Sequence, residues 1–237
     1  MQGTGRLPWK GGRAIEVGVE SGESHLSHGV RRHVRMSTYQ LGKWSAFGQF
    51  VVGIAYIIVL LIGFAVHGLS EPIVDPVLAI MEVLTLISAP LLVVMMAAVH
   101  DYAPSDRKIY GSVALAFTIL VAGTTSAVHF TELTAFRQLG SAGIVWPSAV
   151  YAVELLAWNL FLGLALVFAA GVFGGGGLER TIRRGLLLTG ILCVVGVVGP
   201  AVGNMRLQLV GVVGYAGVLP VVCLMLSRLF SRRVRDT

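Results

Sequence analysis

The chain has 237 residues, of which 55% are hydrophobic and only 13% are charged, and its mean hydropathy is +0.80. A soluble globular domain carries about 25% charged residues, so this composition excludes a soluble domain and is typical of a polytopic membrane protein. The formal net charge of +6 does not indicate nucleic-acid binding, because the positive residues lie in short flanks between apolar segments.

Residues 1–35 differ from the rest of the chain. They are rich in Gly, Ser, Arg and His and show no apolar periodicity. They also lack the apolar region of about 7–15 residues that marks a signal peptide. We expect Met36 to be the natural start; the alternative is a disordered basic segment that contacts anionic lipid.

Six apolar segments follow, and each is long enough to cross a bilayer, which takes about 20 residues. The predicted spans cover roughly residues 44–67, 76–99, 109–130, 147–173, 185–205 and 207–227. The predicted fold class is therefore all-α, a bundle of six transmembrane helices with the general look of a bacterial multi-pass membrane protein.

Prolines and glycines interrupt several of these spans. Pro90, Pro200 and Pro220 lie within spans two, five and six, and Gly199 and Gly203 form a GxxxG pattern. Small residues at this spacing favour close helix packing. The alternative is a hinge or a broken helix beside a binding site.

The distribution of Lys and Arg predicts the orientation of the bundle. With six alternating spans, 16 of the 18 lie on the side of the termini, and only Arg137 and Arg206 lie on the other. Without residues 1–35 the ratio is still 10 to 2. Because cytoplasmic loops carry the excess of positive residues, both termini are predicted to be cytoplasmic in a cell membrane.

Ionisable residues concentrate near the predicted outer side. The residues concerned are His67, Glu82, His129, Glu132, Arg137, Glu154 and Arg206. A charged side chain at the centre of a membrane helix costs about 2.5–3.5 kcal/mol on insertion scales. Glu82 and Glu154 are therefore expected to face the bundle interior and to pair with cations or stay protonated.

Helical spacing assigns some of these residues to common faces. Tyr151, Glu154, Trp158 and Phe161 share one face of span four, and Thr125, His129 and Glu132 share one face of span three. Glu132 and Arg137 are five residues apart, about 140° around a helix. Glu132 is therefore expected to contact a different span.

These patterns predict an outward-facing polar pocket among spans two to five. The candidate pocket residues are Glu82, His129, Glu132, Arg137, Glu154, Trp158, Asn204 and Arg206. The alternative is a structural network in which Glu82 and Glu154 pair with Arg206 and Arg137 to hold the helices together.

A metal site is a weaker prediction. His129 and Glu132 offer two ligands from one helix face, and a third would have to come from His67, Glu82 or Glu154. Cys193 and Cys223 lie in apolar runs, as buried apolar residues do. The spans contain no lysine, no known hydrolase or protease signature and no ATP-binding loop, so no cofactor is predicted.

Three functions from different classes remain open on the sequence alone. The first is the binding or transport of a small molecule, a lipid or a proton through the outer pocket. The second is an intramembrane enzyme that uses His129 and Glu132, with or without a metal. The third is a structural or partner-binding membrane subunit. The lipid bilayer is the one partner that the composition implies, and the oligomeric state is not indicated.

Overall fold

A computed structural model describes the backbone of residues 23–68, 72–140 and 143–235, with side chains from Thr38 onward. The chain divides into two compact units, Met1–Arg35 and Met36–Thr237, and the second carries all the features discussed below. The predictions for residues 1–35 concern a unit of which only the backbone of residues 23–35 is described. They therefore stay predictions.

Six helices in the described part of the chain are long and apolar enough to cross a membrane, and all the regular structure there is helical. The predicted six-helix membrane fold is therefore confirmed. We number the helices α1–α6; in order they cover Thr38–His67, Val77–Tyr102, Ser105–Phe136, Ala149–Val172, Leu178–Ala201 and Met205–Arg235. The backbone helix that contains α1 begins at Glu23.

Several helices extend beyond their predicted ends. α3 was predicted to end near residue 130 and continues to Phe136, and α6 was predicted to end at residue 227 and continues to Arg235. The added turns are polar or charged. Hydropathy registers only the apolar part of a helix, so these turns were assigned to the connections.

Three of the helices contain a π-helical turn. These turns are Glu132–Phe136 in α3, Leu156–Phe161 in α4 and Val213–Val218 in α6. The α-helical parts are Lys108–Thr131, Ala149–Leu155, Leu162–Val172, Leu178–Gly196, Val198–Ala201, Met205–Val212 and Leu219–Arg235, with a 3₁₀ turn at Ser105–Arg107. π-helical turns often occur at functional sites.

Glycines bring α5 into backbone contact with both of its neighbours. A Cβ on Gly190 would lie 2.7 Å from the carbonyl oxygen of Gly163 in α4, and a Cβ on Gly196 would lie 2.9 Å from the Cα of Gly211 in α6. Larger residues would force these helices apart. The α4–α5–α6 side of the bundle is therefore closely packed.

Of the GxxxG pair Gly199 and Gly203, the first packs closely against α6 as predicted, and the second forms the turn. Gly203 adopts a positive φ of 69° in the turn between α5 and α6. A Cβ on Gly199 would lie 2.5 Å from the backbone nitrogen of Gln208. The two glycines therefore permit a tight helical hairpin.

Aromatic side chains around Tyr102 close one end of the bundle, which we call the basic end. The Tyr102 ring lies 5.7 Å from that of Phe173 and 6.4 Å from those of Tyr39 and Phe230. Its hydroxyl group donates to Glu179 Oε1 at 2.5 Å and accepts from Arg233 Nη2 at 3.2 Å. These contacts join α1, α2, α4, α5 and α6 where the α2–α3 and α4–α5 connections lie.

α1 is the least buried of the six helices. Only 6% of its most apolar stretch is buried, against 33–56% in the other five. It contacts α6 where a Cβ on Gly53 would lie 2.6 Å from Pro220 Cγ. It contacts α2 through Gln49 and Ser88, which exchange hydrogen bonds of 2.8 and 3.1 Å. α1 therefore covers one side of an otherwise tightly packed bundle.

The predicted orientation is testable with two variants that each gain one exposed cysteine. The native Cys193 and Cys223 are fully buried and should not react. We expect Arg206→Cys to react with a membrane-impermeant maleimide on intact cells. Arg232→Cys should react only after lysis, since cytoplasmic segments carry the positive excess. The opposite labelling pattern would place the termini outside.

Candidate functional site

A cavity of about 900 Å³ lies between α1, α2, α4 and α6. It opens where the α1–α2, α3–α4 and α5–α6 connections lie, and Ile73, Trp146 and Asn204 from these connections line it. We call this the cavity end; it is the predicted outer side. The lining extends to Ser88, about 16 Å along α2 at 1.5 Å per residue.

The cavity wall is mostly apolar, with aromatic side chains on several sides. The aromatic residues are Tyr56, Phe64, Trp146, Tyr151, Trp158 and Tyr215. Trp158 and Tyr215 pack with ring centroids 5.3 Å apart, as do Trp146 and Tyr151 at 6.3 Å. A cavity of this volume, with apolar walls and a few polar groups, is typical of small-molecule sites.

Six of the eight predicted pocket residues line this cavity. They are Glu82, His129, Glu154, Trp158, Asn204 and Arg206. Glu132 and Arg137 do not line it. The charged groups of four helices are therefore brought to one enclosed space, while their role in binding stays a prediction.

Glu154 is the most intensively hydrogen-bonded residue of the wall. Three side chains from α3 and α4 form hydrogen bonds with a single oxygen, Oε1. They are Thr125 Oγ1 at 2.7 Å, His129 Nε2 at 2.8 Å and Trp158 Nε1 at 2.5 Å. Trp158 Nε1 also donates to Thr125 Oγ1 at 3.0 Å, so the four side chains form one connected group.

Two polar atoms of this group have no partner. Glu154 Oε2 and His129 Nδ1 are buried and accept or donate no hydrogen bond within the described part of the chain. Each residue is only 7% exposed. Buried polar atoms are nearly always satisfied in proteins, so both atoms keep an unusual unused capacity for hydrogen bonding.

The partners of Glu154 differ from those that the sequence suggested. No Lys or Arg among the described residues lies within 4.0 Å of its carboxyl group, and His129 is its one basic partner. Arg206 is exposed at the cavity mouth and forms no ion pair with any described residue. Glu154 is therefore not part of an arginine network of the kind that the structural alternative requires.

Glu82 has the arginine partner that Glu154 lacks. It is 1% exposed, and its Oε2 accepts from Arg137 Nη2 at 3.3 Å. The same guanidinium nitrogen donates to Asp75 Oδ1 at 2.8 Å. Arg137 thereby links the start of α2 to the end of α3, next to the cavity.

Glu132 lies beside the cavity and faces the α3–α4 connection. It is 3% exposed, its carboxyl group lies against the backbone of Gly143 and Ile144, and its Oε1 has no partner among the described residues. A Cβ on Gly143 would overlap Glu132 Oε1. The expected contact with another span is thus replaced by contact with a connection.

The π turn of α4 alters the face predicted from regular helical spacing. Tyr151, Glu154 and Trp158 line the cavity, but Phe161 does not. The Phe161 ring packs against Phe117 of α3, with centroids 6.3 Å apart. The prediction placed Phe161 with the other three; it is wrong because the wider turn at Leu156–Phe161 rotates the residues that follow.

Several lining residues were not singled out from the sequence. They are Gln49, Tyr56, Ser88, Gln208 and Tyr215. They are uncharged, and one amide or phenol in a span is a common feature. Their signal is the recurrence of polar residues on the cavity-facing sides of α1, α2 and α6, which becomes visible only once the helix neighbours are known.

Asn159, outside the cavity, also carries no signal that singles it out in the sequence. It is fully buried, and neither polar atom of its side chain has a partner among the described residues. Its Oδ1 would lie 3.0 Å from a Cβ on Gly196. Asn159 thus fills the glycine-lined notch between α5 and α6, outside the cavity.

The described residues do not assemble the predicted metal ligands. Among them, no group of three or more His, Cys, Asp or Glu side chains is placed to hold a metal ion. His129 Nε2 is engaged with Glu154, and Glu132 faces Gly143. The third ligand that the sequence hypothesis required is therefore not supplied by this geometry.

No protein-family model, curated protein or solved structure matches this chain. What the protein does is therefore inferred from the cavity and its side chains.

The ion pairs of Arg137 with Glu82 and Asp75 are predicted to contribute unequally to the free energy of unfolding. Losing the partner of a buried charge costs about 3–5 kcal/mol; Arg137 is 36% exposed, so Arg137→Met should lower stability by about 2 kcal/mol. Adding Glu82→Gln should recover at least half, because no charge then remains buried alone. Thermal unfolding in detergent measures both.

Asp75→Asn is the matched control. Asp75 binds the same guanidinium group but is 53% exposed, and such surface pairs contribute about 0.2–1 kcal/mol. Asn keeps an oxygen for the Ala79 N–H that Asp75 accepts at 3.1 Å. A loss as large as that of Arg137→Met would contradict the dominant role of Glu82.

Proposed function

We propose that this membrane protein binds a small amphiphilic molecule or a lipid in the cavity between α1, α2, α4 and α6. The single observation that carries the proposal is a mostly apolar cavity of about 900 Å³ with a polar group at its wall that has unused hydrogen-bonding capacity. The predicted orientation would open this cavity to the outer side.

The two parts of the wall suit the two parts of an amphiphile. The apolar part includes Val52, Leu60 and Leu84, which offer dispersion contacts to a hydrocarbon chain. The polar part centres on Glu154 and His129. A purely apolar ligand would leave Glu154 and His129 without a polar partner. A purely polar ligand would leave the apolar part of the wall without contacts.

The position of α1 supports entry of such a molecule from the bilayer. α1 supplies Tyr56, Leu60 and Phe64 to the cavity, yet it is the least buried helix. Because α1 is the least buried helix, its separation from α2 and α6 would expose the smallest share of a helix's residues. A hydrophobic ligand can therefore enter beside α1 without crossing water.

The enzyme hypothesis has less support from the geometry. His129 directs Nε2 at Glu154, and Thr125 donates its hydroxyl hydrogen to the same oxygen. A nucleophile activated by a base would instead donate to the histidine. The arrangement orients a carboxylate and leaves no activated hydroxyl group.

The structural-subunit hypothesis fits Glu82 and does not fit Glu154. Glu82, Arg137 and Asp75 form a closed ion-pair network between α2 and α3. A residue that only fixes helix packing has no need for unpartnered atoms beside a cavity. We therefore assign packing to Glu82 and ligand contact to Glu154.

A pair of neighbouring variants tests the proposal. Val212 lines the cavity, whereas Val213 is 58% exposed on the outside of the same helix. We expect Val212→Phe to reduce at least fivefold the amount of any specific lipid or small molecule that co-purifies with the protein. Mass spectrometry of solvent extracts gives the amounts per mole of protein.

Val213→Phe adds the same volume outside the cavity and should leave the co-purified species at wild-type level. Thermal unfolding of both variants checks that they are folded. The proposal would be contradicted if no species were more abundant in the wild-type extract than in the Val212→Phe extract.

A further inference from the structure

We propose that the ligand of this cavity carries a protonated amine, which pairs with the carboxyl group of Glu154. This inference rests on the proposed binding function and specifies the chemical class of the polar group. It follows from the charge, the hydrogen bonding and the aromatic surroundings of Glu154.

The hydrogen-bonding partners of Glu154 include no permanent cation. Three side chains converge on its Oε1. Because these partners are a hydroxyl group, an indole and an imidazole, none of them is a permanent cation. A buried charge normally has a charged partner, and a cationic ligand would supply one.

The unpartnered oxygen of Glu154 suits a ligand with N–H donors. A carboxylate oxygen accepts only, and Glu154 Oε2 has no donor among the described residues. Glu154 lines the cavity, so an ammonium group in the cavity would lie beside its carboxyl group.

The aromatic residues around Glu154 are suited to a cation. Tyr56 and Tyr151 are close enough to Glu154 to interact with it electrostatically, and Tyr215 interacts in the same way with Tyr56 and Tyr151. All three rings line the cavity, and so does Trp158, which hydrogen-bonds to Glu154 and packs against Tyr215. Aromatic faces attract ammonium groups within about 6 Å.

The two arginines near the cavity do not oppose a cationic ligand strongly. Arg137 is neutralised by Glu82 and Asp75, at 3.3 and 2.8 Å. Arg206 lies exposed at the mouth, where water and salt screen its charge. The deeper part of the wall therefore presents Glu154 as its uncompensated charge.

Three twelve-carbon compounds that differ in their polar group test the inference. The full-length protein is placed in nanodiscs of zwitterionic lipid. The probe is tritiated dodecylamine at neutral pH, with uptake by empty nanodiscs subtracted. We expect unlabelled dodecanol and dodecanoate to compete at least about tenfold more weakly than unlabelled dodecylamine, because they lack the ammonium group that makes charge-assisted bonds. Equal or better competition by dodecanoate would overturn the inference.

Glu154→Gln gives the residue-level test. Gln keeps an oxygen for Thr125, His129 and Trp158, but it removes the negative charge. We expect dodecylamine affinity to fall at least about tenfold, the loss of one charge-assisted hydrogen bond. Glu179→Gln, the same change at the basic end, should leave the affinity unchanged. Unaltered affinity in Glu154→Gln would overturn the inference.

The outcomes separate this inference from the proposed function. If co-purification depends on Val212 and dodecylamine does not bind, the cavity binds a ligand of another class. If Val212→Phe has no effect on co-purification, the binding function itself is wrong.

Discussion

The buried carboxyl group of Glu154 is the constraint on which the cavity half of the bundle depends. A charged group in an apolar bundle is costly unless hydrogen bonds surround it. Thr125 and His129 from α3 and Trp158 from α4 provide these bonds at 2.5–2.8 Å, which fixes the relative position of the two helices. The same need for donors fills one oxygen and leaves the other unused, so the constraint on folding also creates the feature that suits a ligand.

The bundle combines a closed part and an open part because of which residues face each other. Glycines let α5 contact α4 and α6 through their backbones, and rings around Tyr102 fill the basic end. At the cavity end, α1 presents one side to the empty volume and is hardly buried. Rigid packing on one side allows the loss of packing on the other, which a binding cavity requires.

Hydropathy and charge were enough to predict the six helices, because each span is a long apolar segment bounded by polar residues. They also identified Glu82, His129 and Glu154, since an ionisable residue inside a span stands out against its neighbours. The partners were not predictable, because a pairing across helices depends on rotation about each helix axis. The π turn at Leu156–Phe161 shows this directly: it moves Phe161 from the predicted face to a contact with Phe117. Gln49 and Tyr215 carry no charge and gave no comparable signal.

The two deep acids of the cavity wall show that equal residues at similar depth can serve different purposes. Glu82 meets a guanidinium group at 3.3 Å, so its charge is compensated within the protein, and its effect is to join α2 to α3. Glu154 meets neutral donors and one histidine, so its charge is held in place without a permanent counter-ion. A bundle that needed its acids only for packing would gain by pairing both with arginine, and Arg206 is available at the mouth. That Glu154 is left without an arginine, next to the cavity, is the feature that favours the proposed binding cavity over a packing network.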